Sequence, residues 1–199
     1  PRPDSETLVE AVLAAAGAKD GACSIVDFGT GTGCLLLALL SEWPGARGLG
    51  IDVSRAALDV ADGNARHLGL SDRARFQVSD WDADVDGRFD LVISNPPYIA
   101  EGEFSAFAPE ITRFEPRLAL SGGPDGLDCY RALGPAIARR LAPNGRAFIE
   151  IGAGQAETAG SVLGQAGLRI SNLHRDLAGH PRVLEARRDE DGKSKKIGK

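Results

Sequence analysis

The chain has no methionine anywhere in its 199 residues. No initiator is present, so the expectation is a processed chain or a part of a longer one. Cysteine is scarce: Cys23, Cys34 and Cys129 are odd in number and show no C-x-x-C spacing. That excludes a disulfide framework and a zinc site, and the three read as small core residues in a reducing compartment, the cytoplasm. His67, His174 and His180 lack metal-site spacing too, and no metal is expected. Long apolar runs are missing. The longest, Leu35 to Leu40, falls far short of the roughly 20 residues that span a membrane. The opening "PRPDSETLVE" has no basic start followed by an apolar stretch, so it does not read as a signal peptide. Excess positive charge is missing as well. The net charge is −5 and no basic stripe runs through the folded part, which argues against a nucleic-acid substrate. No internal repeat is visible.

What remains is an ordinary globular composition, 43% hydrophobic and 26% charged, in a length that suits one sizeable core. Asp4 is a plausible N-cap for a helix whose apolar face is Leu8, Val9, Val12 and Leu13. "CSIVDFG" reads as a buried strand and "TGCLLLALLSEW" as a helix closed by Pro44. "ARGLGID" is a second strand, followed by a helix from the cap Ser54 to the stop Gly69. "ARFQVSD" and "FDLVISN" are a third and a fourth strand. An irregular stretch from Ile99 to Gly126 is long for a connection, and long ordered loops are often functional. Then come the helix "GLDCYRALGPAIARRLA", the strand "GRAFIEIG", the helix "QAETAGSVLGQAG", and the closing strands "LRISNLHRD" and "RVLEARR". Alternating strands and helices predict an α/β fold: a doubly wound, mostly parallel seven-stranded sheet. The last two strands predict an antiparallel hairpin at one edge. One domain is expected over residues 1–188, with a disordered charged tail at 189–199.

Two stretches carry chemistry. In "VDFGTGTG" the residues Gly29, Thr30, Gly31, Thr32 and Gly33 form a turn between the first strand and its helix. Glycines there let the backbone turn tightly and approach a nucleotide-like ligand. The spacing is G-x-G-x-G, with Cys34 where a dinucleotide fingerprint would have its third glycine. Asp52 ends the second strand, 19 residues after Gly33. An acid at that place can accept both hydroxyls of a ribose, through charge-assisted bonds of roughly 1.5–3 kcal/mol. At the end of the third strand, Trp81 can present a flat face to a purine and Asp80 can accept from an exocyclic amine.

The second stretch is Asn95, Pro96, Pro97 and Tyr98, at the end of the fourth strand. Neither proline can donate to a sheet ladder, so the strand stops there. It stops on the carboxyl edge, where ligands bind in open α/β sheets. A planar amide or aromatic amine is a poor nucleophile, because its nitrogen lone pair is delocalised; in a peptide bond this shows as a rotation barrier of ~18–20 kcal/mol. Such a nitrogen needs positioning more than a general base. The side-chain oxygen of Asn95 and the carbonyl of Pro96 can accept the two N–H bonds of an –NH2 group. The prolines keep these acceptors aimed, and Tyr98 supplies a flat face. Orientation alone can lower a barrier by ~7–11 kcal/mol.

A glycine loop, a ribose acid and an aromatic at the third strand end, in that order, resemble the class I S-adenosylmethionine-dependent methyltransferases. "NPPY" resembles the motif of enzymes that methylate planar –NH2 nitrogens, either adenine or the side-chain amide of glutamine. "PRPDSE" at the start, "FEPRLALSGGPDGLDCYR" at 114–131 and "DLAGHPRVLEARR" at the end resemble the release factor glutamine methyltransferases, the HemK/PrmC family. Ser5 stands where that family usually has threonine, and keeps the hydroxyl. The resemblance covers essentially residues 1–188. It implies S-adenosyl-L-methionine as cofactor and N5-methylation of the glutamine in the Gly-Gly-Gln loop of peptide-chain release factors. It also implies a cofactor site at Gly29–Gly33, Asp52, Trp81 and Asn95, and a substrate site at Asn95, Pro96, Pro97 and Tyr98. Asn95, Pro96 and Tyr98 are the implied catalytic groups. Arg2, Glu115 and Arg117 are candidates for the substrate mouth. The small helical N-terminal domain of the family is missing from the sequence. Two other readings remain: an adenine-N6 nucleic-acid methyltransferase, which would need a basic surface, and a cofactor-binding fragment inactive without the N-terminal domain.

Overall fold

The computed structural model describes residues 3–16, 22–106 and 119–189. Helix α1 (Pro3–Ala16) leads into β1 (Cys23–Phe28), α2 (Cys34–Glu42), β2 (Ala46–Asp52), α3 (Arg55–His67), β3 (Ala74–Val78) and β4 (Phe89–Ser94). A short 3₁₀ segment (Glu101–Ala106) precedes α4 (Asp128–Arg140), β5 (Leu141–Glu150), α5 (Ala156–Gln165), β6 (Leu168–Arg175) and β7 (Pro181–Arg188). The seven strands form one sheet in the order β3-β2-β1-β4-β5-β7-β6. The pairs from β3 to β5 are parallel, while β7 runs antiparallel between β5 and the edge strand β6. This is the doubly wound sheet with a terminal antiparallel hairpin that the alternation predicts.

Strand periodicity sorts the core into two layers. In β1, Cys23 and Ile25 join α1, α2 and α3 on one face, while Val26 and Phe28 join α4 and α5 on the other. In β4, Leu91 and Ile93 go one way and Val92 the other. Helix α1 buries Leu8 and Val12 and packs Val9 and Leu13 against the same cluster, the face its spacing predicts. Ser54 caps α3 by accepting from the Ala57 amide at 3.2 Å, and Gly69 ends its last turn at φ 69°.

Two readings shift. Strand β5 begins at Leu141 rather than near Gly145, because Leu141 pairs with Phe89 before a register shift in the ladder. Pro143 and Asn144 look like a turn and lie exposed in that irregular stretch. The cysteines divide as well: Cys23 is buried in the core, but Cys34 and Cys129 are only half-buried. The mouth candidates Arg2, Glu115 and Arg117, and the tail beyond Asp189, lie outside the described residues. No helix of the described residues is long and apolar enough to cross a membrane.

Candidate active site

Strand order decides which loops meet. β1 and β4 are far apart in sequence but adjacent in the sheet, and their last residues, Phe28 and Ser94, pair directly. The buried Ser94 hydroxyl donates to the Phe28 carbonyl at 2.7 Å and locks the two carboxyl ends in register. The glycine loop leaves one strand and Asn95 leaves the other, at the point where the sheet order reverses. Between them lies a cleft of about 370 Å³. Gly29, Thr30, Gly31 and Thr32 line one wall, and Asn95, Pro96, Pro97 and Tyr98 line the other. Two stretches some 60 residues apart in the chain thus form one site.

The loop itself is tightly determined. Gly29, Gly31 and Gly33 have φ of 73°, 54° and 77°, conformations that cost other residues strain. The amides of Gly29 and Thr30 both donate to the Ile51 carbonyl at 2.8 Å, which ties the turn to β2. The Asp52 carboxylate accepts from the Gly31 amide and the Ser54 amide, each at 2.9 Å. Asp52 therefore shapes the loop, and each of its oxygens retains a lone pair for another donor. It does not itself line the cleft. Gly33 does not line it either. A Cβ there would sit 3.1 Å from Ala61 Cβ and 3.3 Å from the Phe76 ring, so this glycine serves helix packing.

Behind the loop is an acid with no assigned role in the sequence reading. Asp27 is 1% exposed inside β1. Its Oδ2 accepts from the Thr30 hydroxyl at 2.7 Å, and its Oδ1 has no hydrogen-bonding partner among the described residues. Burial pushes its pKa up to about 7, against the lowering effect of the Thr30 hydroxyl and with a further push from the Asp52 charge. A carboxyl inside the apolar run "IVDF" was a visible signal.

On the far wall, Pro96 is buried and Asn95, Pro97 and Tyr98 are half-buried. The Tyr98 hydroxyl lies 3.4 Å from Oε1 of the buried Glu150, at the end of β5. The Tyr98 carbonyl accepts from Gln155 Nε2 at 2.9 Å. No pattern in the sequence pointed to Gln155. Trp81 follows β3 and sits apart from the cleft lining, half-buried against the α4–α5 core layer. Its φ is 49°, a left-handed conformation that a bulky residue adopts only under constraint. The constraint is the next residue. Asp82 is 5% exposed and accepts from Arg139 at 2.7 and 2.9 Å and from Arg140 at 3.0 Å, both on α4. The hydrogen bond from Arg139, with that from Arg140, holds the Asp82 carboxyl below its usual range. Asp80 is exposed beside it.

Chemically, the cleft pairs a backbone turn open to a ligand with a rigid wall that carries an amide, a proline carbonyl and a phenol. The Asp52 carboxylate gives the turn a negative charge suited to a cation-bearing ligand, while Asp27, buried behind the turn with its pKa raised to about 7, is charged only in part near neutral pH. Among the described residues no group of three or more His, Cys, Asp or Glu gathers where a metal could sit.

The family model for the Methyltransferase small domain matches residues 4–114. A release factor glutamine methyltransferase of Rhodospirillum rubrum is 51% identical over 192 residues, which cover 96% of this chain and 58% of the relative. The chain thus spans little more than half the length of that protein. A release factor glutamine methyltransferase of Moorella thermoacetica is 40% identical, with 96% of this chain and 68% of the relative covered. Among solved structures, ribosomal protein L11 methylase from Lactobacillus delbrueckii subsp. bulgaricus matches with a TM-score of 0.65 at 22% identity, over 93% of this chain and 76% of that one. That likeness is one of fold.

Proposed function

The chain belongs to the release factor glutamine methyltransferase family, and from that premise we propose that it transfers a methyl group from S-adenosyl-L-methionine to the side-chain amide nitrogen of the glutamine in the Gly-Gly-Gln loop of peptide-chain release factors. The observation that carries the reading is the single cleft with the glycine loop on one wall and Asn95–Tyr98 on the other.

The residues present fit the cofactor. It carries positive charge at a sulfonium and an ammonium, and the loop is tied by the Asp52 carboxylate and backed by Asp27, whose Oδ1 has no hydrogen-bonding partner among the described residues. The turn at Gly29–Gly33 leaves open backbone for close approach, as Cβ atoms at Gly29 and Gly31 would meet nothing within 4 Å. A ligand that extends past the cleft lining toward the ends of β2 and β3 would bring its ribose hydroxyls to the remaining lone pairs of Asp52 and its purine to Trp81, and Asn95 would touch both ligands. When bound, the cofactor supplies an electrophilic methyl group.

The chain's own residues supply orientation. Asn95 and Pro96 accept the two N–H bonds of the substrate amide through a side-chain oxygen and a carbonyl. Pro96 and Pro97 hold the backbone fixed, and Tyr98 stacks on the planar group. The nitrogen, strongly acidic once methylated, gives its proton to solvent after the methyl arrives, so no base is needed during the transfer. An oxygen in place of the –NH2 would face two acceptors and leave both unpaired. Sites of this kind reject such analogues by as much as ~10⁴–10⁵.

Mass spectrometry of a full-length release factor and of duplex DNA, each offered with S-adenosyl-L-methionine, tests the reading. Methylation is expected on the Gly-Gly-Gln glutamine, not on a Gly-Gly-Glu variant and not on DNA. Comparable methylation of adenine would overturn the substrate assignment.

A further inference from the structure

We propose that Gln155 is a positioning residue that fixes Tyr98 against the substrate amide; the inference rests on the function proposed above. Gln155 precedes α5, on a loop distant in sequence from Tyr98. Its amide is engaged on both ends. Nε2 donates to the Tyr98 carbonyl at 2.9 Å and lies 3.5 Å from the Gly126 carbonyl. Oε1 accepts from the Gly152 amide at 3.1 Å and from the Tyr130 hydroxyl at 3.2 Å. One side chain thus ties together the loops that follow β4, precede α4 and follow β5.

The surrounding packing is built around that amide. A Cβ on Gly126 would lie 2.6 Å from the Tyr98 carbonyl oxygen and 2.7 Å from Gln155 Nε2. A Cβ on Gly152 would lie 2.6 Å from Gln155 Oε1 and 2.9 Å from the Tyr98 ring. Both glycines are required by closeness of approach. Tyr130, fully buried in α4, is held as a neutral donor because burial raises its pKa far above the ordinary phenol value. The amide orientation follows: Oε1 toward two donors, Nε2 toward two acceptors. The Tyr98 backbone cannot shift without breaking this set. Its ring, on the cleft wall, inherits that rigidity, and orientation there is what the transfer needs.

The test uses Gln155→Ala and Gln155→Glu in the full chain. A glutamate sets an ionised oxygen against the Tyr98 and Gly126 carbonyls. Protonated, it regains one donor. Expected for both variants is a fall in kcat of about ten- to a hundredfold with a release factor. The dissociation constant for S-adenosyl-L-methionine should stay within about twofold. The activity of Gln155→Glu relative to wild type should rise as pH falls. A kcat loss matched by the cofactor affinity and flat in pH would reduce Gln155 to a structural residue and overturn the proposal. Hydrogen exchange supplies a readout free of any substrate. Peptides over 95–101 should exchange faster in Gln155→Ala, while those over 28–34 stay unchanged. Unchanged exchange at 95–101 overturns the proposal even where wild-type chain fails to methylate a release factor, a failure that instead counts against the substrate assignment.

Discussion

The Thr30 hydroxyl donates to Asp27 Oδ2 at 2.7 Å, while the other oxygen of that buried carboxyl has no partner among the described residues. A half-satisfied carboxyl in the core is costly when charged, and its pKa rises to about 7 from 3.8. Between those values the folded chain keeps a proton that the unfolded chain has lost. Stability from this group is therefore full below pH 3.8, falls as pH rises, and levels off above about 7. The slope is about 1.4 kcal/mol per pH unit at most. Against Asp27→Asn, the wild-type chain is expected to lose urea stability steadily over that window. Parallel pH profiles for the two chains would dismiss the raised pKa.

Asp52 serves both loop shape and the proposed ribose contact. Asp52→Ala removes the acceptor for the Gly31 and Ser54 amides together with that contact. The dissociation constant for S-adenosyl-L-methionine is expected to rise by about 1.5–3 kcal/mol in free-energy terms, the scale of a lost charge-assisted pair. Calorimetry checks this, and an unchanged constant removes Asp52 from the cofactor site.

Gly31 and Gly33 separate ligand approach from packing. Both have positive φ, so alanine at either is expected to cost about 1–2 kcal/mol in strain. Gly33→Ala adds crowding against Ala61 and Phe76, worth roughly 1–3 kcal/mol more. Gly31→Ala meets no such crowding but places a methyl on the cleft wall. Denaturation should rank Gly33→Ala as the less stable chain, and titration should rank Gly31→Ala as the weaker binder. The reverse order in either measurement would contradict the assignment.

Asn95→Ala is expected to leave the fold intact and to cut turnover by about a hundredfold, because the acceptor proposed to orient the –NH2 is gone. Cofactor affinity should fall much less, since orientation acts at the transition state. Equal small losses in both would make Asn95 a cofactor contact alone.

Asp82 holds the Trp81 turn through two arginines. Asp82→Ala leaves Arg140, whose side chain is 22% exposed, with the residue-82 carbonyl but no carboxylate, and releases Arg139, which is 59% exposed. A loss of about 2–3 kcal/mol is expected, below that of a fully buried pair because Arg139 remains solvated. The chain has two tryptophans, and Trp43 is 4% exposed in the core. A red shift of emission in the folded variant therefore reports Trp81. An unshifted spectrum would show that the arginine clamp does not set its place.

The sequence by itself determined the alternation of elements, the face of α1, the cap at Ser54 and the two motifs, because each depends on residues within a turn or a strand of one another. Periodicity and turn chemistry act at that range. Only the tertiary structure decided that Gly29 and Asn95 share a cleft, since this follows from β4 pairing with β1 rather than with β3. The same holds for Asp82 between Arg139 and Arg140, and for Gln155 against Tyr98. These partners lie 57 or 58 residues apart, and no local pattern encodes a hydrogen bond across that distance. Asp27 falls between the two cases. Its place inside an apolar strand was legible, but the burial that raises its pKa, and the lack of a partner for its Oδ1 among the described residues, come from tertiary packing.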